Sequence, residues 1–101
     1  ENGLELVEWS TTTGHELHLL IRDQGTVRGY RRGTVKFTLQ PDDGAGLSGS
    51  KRFNCSPNDN YDRDLMLLLY QPNQRDQWAR VNLTFKDNKG TSDFWFDVYL
   101  N

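Results

Sequence analysis

Cysteine, long apolar runs and helix-like periodicity are all scarce in this 101-residue chain, and each scarcity excludes something. A single cysteine, Cys55, rules out an internal disulfide. It leaves the compartment open between a cytosolic and a secreted setting, with a secreted or cell-surface one the expectation. The longest apolar run, residues 65–70, is far too short to span a membrane, and no stretch reads as a signal peptide. Aliphatic residues are few: the chain is 35% hydrophobic with a mean hydropathy of -0.81. Charge of one sign is also missing, since 12 Lys and Arg meet 14 Asp and Glu for a net charge of -2. That balance argues against adhesion to nucleic acid or anionic membrane.

What the chain does have is aromatic residues, 12% of its length, and strict alternation. Over residues 78–85, Ala79, Val81, Leu83 and Phe85 take one side and Trp78, Arg80, Asn82 and Thr84 the other. Over residues 93–100, Phe94, Phe96, Val98 and Leu100 oppose Asp93, Trp95, Asp97 and Tyr99. Period two marks a half-buried strand, because successive side chains leave opposite faces. Asp87, Asn88, Lys89 and Gly90 lie between, with Asp and Gly where a type I turn favours them. A hairpin pairing Lys86 with Thr91 sets Leu83 against Phe94 and Val81 against Phe96 inside. Outside, it sets Arg80 against Asp97 and Trp78 against Tyr99. A slip of one residue would set apolar against polar at every step, so the pattern selects this register.

Elsewhere the signals are shorter. Residues 4–9 read as a strand with a phase slip between Leu6 and Val7, which a bulge would reconcile. Residues 15–23 alternate with Leu17, Leu19 and Ile21 inward, residues 26–32 form a weak segment, and residues 34–40 form a clean strand. Residues 41–50 read as a loop, 51–53 as a short strand, and 64–70 as a central strand buried on both faces, bounded by Pro57 and Pro72. Seven or eight short strands without a helix predict an all-β, antiparallel β-sandwich of jelly-roll or Ig-like form in a single domain.

The outward face of the hairpin is the candidate site: Trp78, Arg80, Asn82, Trp95, Asp97 and Tyr99. Aromatic rings accept the flat C–H face of a pyranose, while neighbouring Asp, Asn and Arg pair with its hydroxyls. The expectation is a non-catalytic carbohydrate-binding module. A protein partner, or a second copy in a homo-oligomer, would use the same residues as anchors, which is the alternative reading of a small inhibitor, immunity protein or assembly subunit. Binding to a membrane surface is a third. If instead a second sheet or loop covers this face, Trp78 and Trp95 are plain core residues, and Arg80 with Asp97 is an ordinary cross-strand charge contact.

Other constellations carry less. Asn58, Asp59, Asn60, Tyr61, Asp62, Arg63 and Asp64 are rich in oxygen ligands and suit a structural calcium, although the glycine and closing Glu of an EF-hand loop are missing. The same residues favour turns. No other cofactor is expected. Arg22, Arg28, Arg31, Arg32 and Lys36 are able to cradle an anion, with a solvated face as the plainer account. Sequons occur at Asn54 and Asn82. His15 and His18 lie three apart on a strand, on opposite faces, and do not share a metal. Asp93 and Asp97 lie about 13 Å apart along a strand, too far for a glycosidase pair. Cys55 reads as a buried inert thiol, and the chain as no enzyme.

Overall fold

Seven β-strands run through the computed structural model, which describes residues 3–23, 31–55 and 62–101. They are β1 (Leu4–Thr11), β2 (Glu16–Asp23), β3 (Arg31–Pro41), β4 (Leu47–Cys55), β5 (Asp62–Leu69), β6 (Gln77–Asp87) and β7 (Gly90–Leu100), with a 3-10 turn at Pro72–Gln74. A three-stranded sheet in the order β1-β2-β5 packs on a four-stranded sheet in the order β4-β3-β6-β7, and every pairing is antiparallel. The chain is therefore the β-sandwich that its alternation predicts. Of the two forms expected, the order is the Ig-like one. It differs from the constant-type arrangement in that the fourth strand pairs with the third instead of joining the opposite sheet.

Each strand gives one face to the core. Leu17, Leu19 and Ile21 of β2 meet Val35, Leu39, Val81, Leu83, Phe85 and Leu100 across the sandwich, all at most 1% exposed. The Phe85 ring meets Phe53 and Phe94 edge-on at 5.3 and 5.7 Å. The β6–β7 register is the one the face pattern selects, with Leu83 opposite Phe94, Val81 opposite Phe96 and Lys86 opposite Thr91. At its turn the Lys89 N–H donates to Asp87 Oδ1 at 2.7 Å, and Gly90 adopts a φ of 133°. Neither Asn88 nor Lys89 has a positive φ, consistent with the type I geometry. In β1 the pairing with β2 skips between Leu6 and Glu8, so the bulge at Val7 turns Trp9 back onto the core side. There its ring stacks on Phe96 at 4.4 Å.

Several expectations need correction. The leucine-rich segment is β5, an edge strand of the smaller sheet and not a central one; Leu65 and Leu67 are buried, but Leu69 is 56% exposed. The stretch expected as a loop over residues 41–50 yields to β4 from Leu47, which runs nine residues instead of three. Serines and glycine there alternate too weakly in hydropathy to signal a strand, yet pair with β3 from Leu39 to Arg31. His15 lies in the turn before β2 with a φ of 63°, its ring against Tyr70, and is not on the strand. Arg31 is not part of a solvated basic face. It is completely buried, with Nη1 donating to Asp87 at 2.8 Å and Nη2 to Asp23 at 3.4 Å, while Lys89 Nζ reaches Asp23 at 2.9 Å. The weak segment over residues 26–32 falls, except for Arg31 and Arg32, outside the described residues, as does Arg28.

Candidate functional site

The four-stranded sheet turns its polar face outward, and cross-strand pairing decides which side chains meet there. Toward one end the rows read Trp78–Tyr99, Gln40–Arg80–Asp97 and Ser48–Thr38–Asn82–Trp95. All six residues singled out from the sequence lie on this face. The large rings stand in solvent: Trp78 is 54% exposed, Trp95 63% and Tyr99 40%. No part of the described chain covers them, so the plain core reading of Trp78 and Trp95 is set aside.

The side chains are mutually oriented. Arg80 Nε donates to Asp97 Oδ1 at 2.9 Å and Nη2 to Oδ2 at 3.2 Å, a two-pronged pair that fixes the plane of the guanidinium. That guanidinium lies over the Trp95 ring, 4.4 Å from its centroid, in a residue that is still mostly exposed. The hydrogen bonds from Arg80 hold the Asp97 carboxyl below its ordinary range; partial desolvation opposes this and the cation's charge assists it. The same bonds, then the same attraction, raise Arg80. One row away, Trp78 and Tyr99 meet edge to face at 5.5 Å. Between the two groups a cavity of about 450 Å³ is lined by Asp42, Trp78, Ala79, Arg80 and Asp97. Asn82 lines a neighbouring depression of about 460 Å³ with Lys36, Thr38, Ser48, Ser50 and Thr84.

Asp42 is the member that sequence reading missed. It follows the end of β3, and its N–H donates to the Trp78 carbonyl at 2.9 Å, which holds it beside the ring. Only the β3–β6 register, 36 residues apart in sequence, brings it there. The remaining candidates lie elsewhere. His18 stands between Glu16 and Asp64, 3.4 Å from each, on the smaller sheet. Cys55 is buried. The proposed calcium segment lies outside the described residues up to residue 61; among the described residues no cluster of three or more His, Cys, Asp or Glu is placed to hold a metal ion. No described helix is long and apolar enough to cross a membrane.

Comparison of the chain with family models, with curated proteins and with solved structures finds no match.

Proposed function

We propose that this protein is a non-catalytic carbohydrate-binding module, and that the outward face of the β6–β7 hairpin is its binding surface. The observation that carries the reading is the pairing of exposed rings with fixed polar groups: Trp78, Trp95 and Tyr99 lie beside Arg80, Asn82 and Asp97 on one face. A sugar ring needs both halves, an apolar plane for its C–H face and directional partners for its hydroxyls. The Arg80–Asp97 pair supplies donors and acceptors already ordered before a ligand arrives, so little side-chain freedom is lost on binding. The cavity bounded by Asp42, Trp78 and Asp97 is wide enough for part of a sugar unit.

The test is a titration of a glycan panel followed by tryptophan fluorescence and repeated with Trp95→Ala. Loss of one aromatic platform is expected to weaken binding at least about tenfold, the order of a buried aromatic contact. Unchanged affinity in the variant, or silence across a broad panel, overturns the reading. In the second case sedimentation separates the rival. A tight dimer with its indoles shielded from an aqueous quencher marks the face as a protein interface.

A further inference from the structure

At the opposite end of the same outward face the character changes from aromatic to basic. The row Arg52–Thr34–Lys86–Thr91 holds two cations and no carboxylate, and Arg32 follows one step beyond on β3. Here a cavity of about 530 Å³ is lined by Arg32, Gly33, Thr34, Arg52, Phe53, Asn54 and Arg63. Arg32 and Arg52 come from neighbouring strands of the larger sheet, and Arg63 from β5, across the seam between the sheets. Three guanidiniums, a hydroxyl and a side-chain amide therefore share one recess. Each guanidinium carries five N–H donors in a planar fork suited to sulfate and carboxylate oxygens. Along the strands this recess lies about 13 Å from the Trp95 row and about 27 Å from the Trp78 row. Lys36 and Asn82 lie in the depression between, so polar groups line the path.

We infer that the ligand is an acidic oligosaccharide, sulfated or uronic, that lies along the strands with its sugar rings on Trp78 and Trp95 and an anionic group among Arg32, Arg52 and Arg63. The inference rests on the carbohydrate reading above and adds the charge of the ligand. A nucleic acid fits less well, because it carries a phosphate at every residue, including those passing Asp93 and Asp97, whereas the oligosaccharide needs its anionic group only at the basic recess. The experiment compares two hexasaccharides of one β-glucan, neutral and O-sulfated, against the wild-type chain, Arg52→Ala and Trp95→Ala. The sulfated form should bind about tenfold tighter or more in dilute buffer, with the advantage shrinking as salt rises. Arg52→Ala should erase most of that advantage and leave the neutral oligomer as before, whereas Trp95→Ala should weaken both. Equal affinity for the two oligomers, or a preference for sulfate that survives Arg52→Ala, overturns the inference and leaves the neutral-sugar reading standing. Failure of both to bind overturns that reading and the inference with it. A single-stranded oligonucleotide of equal charge that binds as tightly as the sulfated sugar also overturns it.

Discussion

At the scale of single residues, Arg31 shows how position outweighs residue type. Its guanidinium lies fully buried between Asp23 and Asp87, with Lys89 on the far side of Asp23. Removing one member of a buried pair leaves an uncompensated charge in a medium that solvates it badly. Arg31→Met is therefore expected to lower stability by about 3–5 kcal/mol, read by urea unfolding, while Lys89→Met at the rim of the cluster does much less. Equal effects of the two would show that the buried ion is not what holds this end of the sandwich. Nothing in the sequence announced the burial, because the partners arrive from 8 and 56 residues away. Asp97 is the opposite case, half exposed to water yet specifically held. Its carboxyl is lowered by Arg80, so the pair is present above the ordinary aspartate value of about 3.9 and is lost only as pH falls through the lower folded value. The Trp95 indole N–H resonance should stay constant from neutral pH into mild acid and move only below that ordinary value. A midpoint at or above it contradicts the pairing.

At the scale of elements, what could be read in advance was what repeats locally. The β6–β7 hairpin shows its register because period two and a two-residue turn each demand the same pairing. The bulge in β1 was visible for the same reason, as a break in an otherwise regular pattern. The place of β5 was not, since a run of leucine and methionine has no period, and strand order depends on which distant strand arrives beside it. These two hairpin-scale devices predict opposite tolerance to deletion. Removing Val7 takes out the one residue that pairs with nothing on β2, so Trp9 keeps its place opposite Leu19 and its stack on Phe96. The shortened chain should keep a folded near-ultraviolet circular dichroism spectrum. Removing Asn82 throws half of β6 onto the wrong face, burying Arg80 or exposing Leu83, and should abolish that spectrum. Similar behaviour of the two deletions would refute the bulge assignment.

At the scale of the whole molecule, the two sheets divide the labour. Their inner faces make one apolar core, while the outer face of the larger sheet runs from rings at one end to guanidiniums at the other. The rings of the aromatic end were legible because one hairpin supplies Trp78, Trp95 and Tyr99 together. The basic end needs Arg32, Arg52 and Arg63 from three strands, and no local pattern joins them. The seam that places Arg63 there is closed by Lys51, whose ammonium donates to the Met66 carbonyl from the opposite sheet. Cys55 ends β4 four residues further along the strand, sealed from solvent. A thiol so enclosed is chemically silent until the strand lifts. The chain thus carries its own clock: the rate at which a small reagent captures this sulfur counts the moments when the β4 end parts from its neighbours, without any added label.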